Sequence, residues 1–436
     1  MTSFWAEAAV VDGVVTPSVR ITADAGIVTS VSTEPPRESD RVLPGLTVPG
    51  LANGHSHAFH RALRGRTHDG GGTFWTWREQ MYALASRLTP DSYYELASAA
   101  FAEMLLAGYT VVGEFHYLHD ASVYGTAMDE AVLAAADTAG IRMTLLDTLY
   151  LQGGLSEGGS ALPLAPEQQR FSDGSLAGWA TRHASLSVGD TARLGAAVHS
   201  VRAVDPSLLA DFATLTVGSP VHAHVSEQPA ENLQTLAAWG RTPVQVLEPL
   251  LGADFTAVHG THLSDDDIRL LGSSASTVCI CPTTERDLAD GVGPGSALLA
   301  AGASLSLGSD QNAVIDPFEE VRGLEMDERL VSGERGRFSP SQLLTAATAD
   351  GYRSLGWDGG SIAVGSLCDL TAVSTTSVRT AGAAADQLWL AATAADVTTV
   401  VVNGTVVVDG GRHPFGDIGA MLASSIAALT TDFTQD

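Results

Sequence analysis

Between residues 49 and 359 the chain repeats one alternation, in which a short apolar run gives way to a segment long enough for a helix and then to another apolar run. Eight runs can be read: TVPGLANGHSH, TVVGEFHY, IRMTLLDTLY, RLGAAVHS, PVHAHVSE, FTAVHGTH, STVCICPT and ASLSLGSD. Short continuous apolar runs suit strands covered on both faces, and helical crossovers between them suit parallel pairing. The residues from Asp91 to Leu106 predict one such helix, opened by Thr89-Pro90-Asp91 and stopped by Gly108. Another is predicted around Asp129–Thr138, stopped by Gly140. Eight strands with helices between them predict an α/β fold, a (β/α)8 TIM-type barrel over 49–359.

The two ends of the chain read differently. AAVVDGVV and RITADAGIVTSVS near the start are β-like stretches broken by turn residues. SLCDLTAVS and TTVVVNGTVVVDGGR near the end are alike, and Asn403-Gly404 between valine runs is a hairpin signal. A small β-sandwich domain built from 1–48 plus 360–436 is therefore expected beside the catalytic barrel. Residues 153–174, rich in Gly, Ser and Pro, predict a long loop over the barrel mouth.

Composition excludes several classes. A net charge of −27 argues against nucleic acid as a partner, since binding phosphates needs clustered cations. All 23 basic residues are arginine, so Schiff-base chemistry, a P-loop and a carbamylated lysine bridge are out of reach. Three cysteines, Cys279, Cys281 and Cys368, are too few for a disulfide framework, and Cys279 and Cys281 read as buried reduced thiols. With no signal-peptide pattern at the N-terminus and no long apolar run, the expectation is a cytoplasmic protein without a membrane span.

The residues able to carry chemistry fall at the C-terminal ends of the runs: His55 and His57, then Glu114, His116 and Tyr117, Asp147, His199, His222 and His224, His259, and Asp310. That end of a barrel is where active sites are built. His55 and His57 are two residues apart, so both imidazoles share a strand face and can bind one ion. His224 is taken as a third ligand, because Glu227 follows just beyond the strand end, where a proton-transfer carboxylate can reach a reacting water; His222 then lies one layer deeper. Asp310 ends an apolar strand, where a carboxylate is costly to bury unless paired or metal-bound. Three histidines and one aspartate suit Zn2+ with a position left for water.

PGLANGHSHAF, HAHVSE, AVHGTH and GSDQNAVIDPFEE resemble the metal and proton-transfer motifs of the amidohydrolase superfamily, in its mononuclear deaminase branch. HSHAFHRALRG, FWTWREQMY, GEFHYLHD and VHSVRAV resemble, within that branch, the formimidoylglutamate deiminase family of histidine degradation. The resemblance implies one Zn2+ per chain on His55, His57, His224 and Asp310, with Asp310, Glu227 and His259 as the catalytic residues. It implies a small dicarboxylate substrate, N-formimino-L-glutamate, hydrolysed to N-formyl-L-glutamate and ammonia. Arg78 would hold one carboxylate, and Arg202, His199 and Tyr117 the other, since arginine matches carboxylate geometry. Homodimers are common among such proteins. Where the resemblance implies glutamine three residues after the second metal histidine, this chain has His60, which can also donate one hydrogen bond to substrate. Glu285-Arg286 stands where the family often has small polar residues, and the sequence alone assigns it no role. Competing readings are a zinc deaminase of guanine or an adenosine derivative, which has less use for two arginines, and an inactive binding protein, which has no use for Glu227 with His259.

Overall fold

The computed structural model describes residues 1–67, 72 and 74–430, with the side chains of Phe74 and Trp75 outside that description. Eight parallel strands form the central sheet: β1 (Leu51–Ser56), β2 (Tyr109–His116), β3 (Arg142–Leu149), β4 (Ala192–Ser200), β5 (Val221–Val225), β6 (Phe255–His259), β7 (Thr277–Ile280) and β8 (Ser304–Leu307). Each pairs with the next in chain order, the arrangement that right-handed helical crossovers produce. Every residue of β2, β3, β5, β6 and β7 is buried, which is why these strands read as apolar runs without alternation. The expected helices form over Pro90–Ala107 and Ala127–Ala139, with Gly108 and Gly140 in left-handed conformation at their ends.

The barrel closes by a narrow seam. A single bridge, Ser56 with Asp310, joins β1 to the residues just past β8. Its hydrogen bonds run from the His57 amide to the Asp310 carbonyl and from the Asp310 amide to the His55 carbonyl, both 2.9 Å. Gly308 permits this approach, because a Cβ there would lie 2.8 Å from both the Cβ and the carbonyl oxygen of His55.

The chain ends build one seven-stranded sheet in the order Thr405–Asp409, Val397–Val402, Leu370–Val373, Arg41–Pro49, Thr2–Val11, Val14–Asp24, Ile27–Thr33. Asn403 and Gly404 both take positive φ (53° and 72°) in the hairpin between Val402 and Thr405. Phe4, Ile21, Leu43, Leu370 and Val401 form a core within this sheet, separate from the main one. The final helix, Ile418–Thr430, packs instead on the Pro90–Ala107 helix of the barrel. Sheet and barrel are tied at the N-terminal side of the strands by buried Asp369, which accepts from Arg142 Nε (2.9 Å), Tyr352 Oη (2.8 Å) and the Asn403 amide (2.6 Å). With those bonds its charge is satisfied, as a buried carboxylate requires. No helix among the described residues is long and apolar enough to cross a membrane.

Residues 153–174 do not form a plain loop. They carry a two-stranded ribbon (Gly154–Leu155 with Ala161–Leu162) and a 3-10 turn, Pro166–Phe171, and Gly153, Gly154 and Phe171 reach the cavity at the barrel mouth. Gln168 fastens the segment there through bonds to Tyr82, Tyr150 and the Gly153 carbonyl.

Candidate active site

β1, β5 and β8 bring His55, His57, His224 and Asp310 together, with one ligand atom from each lying within 4.8 Å of all the others. The histidines are fixed from behind. His57 Nδ1 lies 2.9 Å from the Phe115 carbonyl and His224 Nδ1 lies 2.8 Å from the His199 carbonyl. A carbonyl only accepts, so both Nδ1 atoms carry the proton and both Nε2 lone pairs face the centre. Burial, and then the neighbouring imidazoles, hold the pKa values of His57 and His224 well below the usual range, so both rings are neutral. Burial works to raise the Asp310 pKa, but His55 and the other imidazoles outweigh it and keep the carboxylate ionised.

Asp310 Oδ1 lies 3.4 Å from Nε2 of both His55 and His57, and the Nε2 atoms of His55 and His224 are 3.1 Å apart. Ligands about 2.0–2.1 Å from one tetrahedral ion stand about 3.3 Å from each other. The observed spacing fits a dication. Lone pairs and a carboxylate converging in a buried space also need a cation to offset their mutual repulsion. His259 and Asp310 take φ of 70° and 43°, left-handed values that side-chain-bearing residues adopt at a cost of about 1–3 kcal/mol each. Both stand at the seam between strand and loop where the reacting groups gather.

Above this centre opens a cavity at the barrel mouth. His60, Arg78, Tyr117, His199, Arg202, Glu227, His259 and Asp310 all line it, so every residue expected at the site is brought to one place. His60 Nε2 meets the Tyr117 hydroxyl at 3.0 Å, and burial lowers its pKa to about 3, so it is neutral. Burial, then Arg202 and Arg78, depress His199 as well. Arg78 Nε donates to the Tyr82 hydroxyl at 2.5 Å, with the guanidinium 5.1 Å from that ring. Arg202 Nε donates to Glu231 Oε2 at 3.2 Å. Glu227 Oε1 is 3.7 Å from His259 Nε2, which is 3.9 Å from Asp310 Oδ2. Burial disfavours the His259 imidazolium, but Glu227, Glu285 and Asp310 outweigh it and hold the pKa well above the usual range.

Four of the polar strand-end residues lie outside the cavity. His116 and Asp147 sit in a separate buried cluster with His119 and Asp129, bridged by Arg182, whose Nη1 and Nη2 reach Asp129 and Asp147 at 2.6 Å each. Arg182 supplies the positive charge that these carboxylates require. Successive strand residues face opposite ways, so His116 points to the helix layer while Phe115 and Tyr117 point inward. Glu114 is also turned away from the cavity, its Oε1 accepting from the Ala58 amide at 2.7 Å. His222 donates to the Ser354 carbonyl at 2.8 Å, one layer deeper as expected. Cys279 and Cys281 are buried free thiols.

One residue at the site carried no assignment from the sequence. Glu285 is buried, and its Oε1 lies 3.4 Å from His259 Nδ1. Arg286 beside it is a surface anchor, paired with Asp327 and Glu319. A carboxylate four residues beyond the strand-end Cys281 was the signal available, but it lies on a helix, away from the strand ends that draw attention.

A barrel with this centre defines a metal-dependent hydrolase. The sequence profile of the amidohydrolase family matches residues 46–407, and the chain belongs to that family. Formimidoylglutamate deiminase of Pseudomonas aeruginosa is 36% identical over 420 residues, covering 90% of this chain and 91% of the relative. A 5-methylthioadenosine/S-adenosylhomocysteine deaminase of Natronomonas pharaonis is 28% identical over 386 residues, covering 86% and 84%. The crystal structure of an amidohydrolase from Brucella melitensis superposes with a TM-score of 0.89 at 30% identity, covering 98% of this chain and all of that one. The chain is accordingly a hydrolase acting on C–N bonds, a hydrolytic deaminase of this superfamily.

Proposed function

We propose that this chain is a zinc-dependent deiminase that hydrolyses N-formimino-L-glutamate to N-formyl-L-glutamate and ammonia, a reaction of histidine breakdown. The observation that carries the reading is the pair Arg78 and Arg202 on the wall of a cavity floored by the metal-ligand cluster. In a protein of net charge −27, two cations facing one cavity select for an anionic substrate against the overall field. Guanidinium groups hold carboxylates by paired hydrogen bonds, and a substrate with two carboxylates uses both. The 36% identity to a formimidoylglutamate deiminase supports the same substrate.

In this reading His55, His57, His224 and Asp310 would hold one zinc, which would supply the Lewis acidity that makes water a nucleophile near neutral pH. Arg78 binds one carboxylate, while Arg202 with His199 and Tyr117 binds the other, bringing the formimino carbon over Asp310. Asp310 takes a proton from the attacking water. His259 hydrogen-bonds the oxygen as it adds to that carbon. Glu227 passes one proton to the imino nitrogen as the oxygen adds. The proton held by Asp310 then reaches the resulting amine while the new hydroxyl returns its proton to Glu227, so that the C–N bond breaks with ammonia as the neutral leaving group. Neutral His60 donates a hydrogen bond within the same pocket, in contact with Tyr117. Cytoplasmic residence and a homodimer belong to the same reading, carried over from the family likeness.

The test is ammonia release by the zinc-loaded protein from N-formimino-L-glutamate, with the aspartate analogue, guanine and 5′-methylthioadenosine alongside. Turnover of the glutamate compound in clear preference to the others is the expected result. Turnover of a purine with none of the glutamate compound overturns the substrate and leaves the deaminase.

A further inference from the structure

The acidic residue behind His259 has a geometry that bears on the reaction. Glu285 lies on the short helix Pro282–Asp287 that follows β7, and it is 4% exposed. Its Oε1 accepts from the Cys281 amide at 2.9 Å and faces His259 Nδ1 at 3.4 Å. The helix is held in this rotation from outside, since Arg286 pairs with Asp327 at 2.9 Å and Glu319 at 2.8 Å. Neighbouring helix residues point about 100° apart, so anchoring Arg286 at the surface turns Glu285 inward.

We propose that Glu285 is a positioning residue that fixes the rotation of the His259 ring for the hydrolytic step. Glu285 Oε1 gives the Nδ1–H of His259 an acceptor at 3.4 Å on the side away from the cavity. Nε2 is thereby aimed at the cavity, 3.7 Å from Glu227 Oε1 and 3.9 Å from Asp310 Oδ2. Strand pairing does not set this rotation. His259 ends β6 at φ +70°, and its ring could turn over about Cβ–Cγ. Turning over would take Nδ1 from its acceptor and put carbon where Nε2 meets the substrate. An orienting carboxylate behind a reacting imidazole is the division of labour that holds the ring and stabilises its imidazolium in hydrolytic triads. Here the carboxylate is itself held by a backbone amide, so its placement does not depend on substrate.

The proposal rests on the reading that His259 acts on substrate, and the test separates the two. The zinc-loaded wild type, E285Q, E285A and H259N are compared for metal content, thermal midpoint, kcat and KM with N-formimino-L-glutamate, and for the nitrogen resonances of 15N-labelled histidine, which need no substrate. Expected in E285Q is a kcat lower by about 10- to 100-fold with KM within about threefold, at full metal content. The His259 signals should change from those of one ring orientation to a mixture. E285A should show the same shift and a larger loss of kcat. If E285A does not fold, the isosteric E285Q carries the test alone. Wild-type kcat and an unchanged His259 signal in folded E285Q, with H259N inactive, would overturn the role of Glu285 and spare that of His259. Wild-type turnover by H259N would remove His259 from the chemistry and the proposal with it.

Discussion

Replacing Arg202 by Met separates binding from folding in a way the structure lets one work out. Its guanidinium faces the cavity, while its Nε is bonded to Glu231, a carboxylate only 1% exposed. Hydrogen bonds to charged groups contribute about 1.5–3 kcal/mol, and 1.4 kcal/mol is tenfold in binding, so KM for the diacid should rise about 10- to 150-fold. The same substitution leaves Glu231 without its cation. Breaking a buried ion pair costs about 3–5 kcal/mol, moderated here because burial already raises the Glu231 pKa and lets it take up a proton. The double variant Arg202→Met with Glu231→Gln removes the stranded charge while leaving the cavity without its cation. Urea unfolding should show most of the lost stability regained in the double variant, and initial rates of ammonia release should show KM still raised. Recovery of KM along with stability would refute the reasoning, because the binding defect would then have been structural damage.

Glu227→Gln should retain metal by elemental analysis yet lose about 10²–10⁴-fold in kcat, the range general acid–base groups supply; an equal rate would remove Glu227 from proton transfer. Exhaustive chelation should abolish activity and lower the thermal midpoint, with zinc restoring both, because ligands on β1, β5 and β8 are bridged only in the loaded state. Burial pushes the Glu114 carboxyl up to about 8 from its ordinary value of 4.5, so folding favours its protonated form. That contribution is fully present below about 4.5 and is lost as pH rises through 8. Urea midpoints for wild type should therefore fall over that window by more than those of Glu114→Gln, and parallel curves would contradict the assignment.

Much of the barrel was legible because its strands are covered on both faces, leaving bare apolar runs such as TVVGEF that end abruptly in polar residues. The ligand set was legible for a related reason: His55 and His57 share a face by the period of the strand, and Asp310 has no bland use at the end of an apolar run. That same emphasis on strand ends misplaced His116 and Asp147. Position at a strand end says a residue is near the mouth, whereas the period of two says which way it faces; His116 is odd by one from Phe115 and Tyr117 and points outward. The role of Glu285 was invisible for the opposite reason. Its partner, His259, comes 26 residues earlier, and the contact exists only because β6 and β7 are neighbours in the sheet. The Arg182 bridge is equally non-local, joining carboxylates 53 and 35 residues away.

The seam between β1 and β8 has a further meaning. Only one bridge closes the barrel there, and three of the four metal ligands stand on its two lips. A bound ion would thus act as a clasp, so that a chain failing to load it would lose both its reaction and the fastening of its wall. The parts that choose the substrate lie elsewhere: Arg78 rides on a helix ahead of β2, and Arg202 on the turn that follows β4. Neither contributes a hydrogen-bonded rung to the barrel. Descendants of such a protein can therefore revise what they accept by small changes in these outlying segments, while the clasp confines what they do to it.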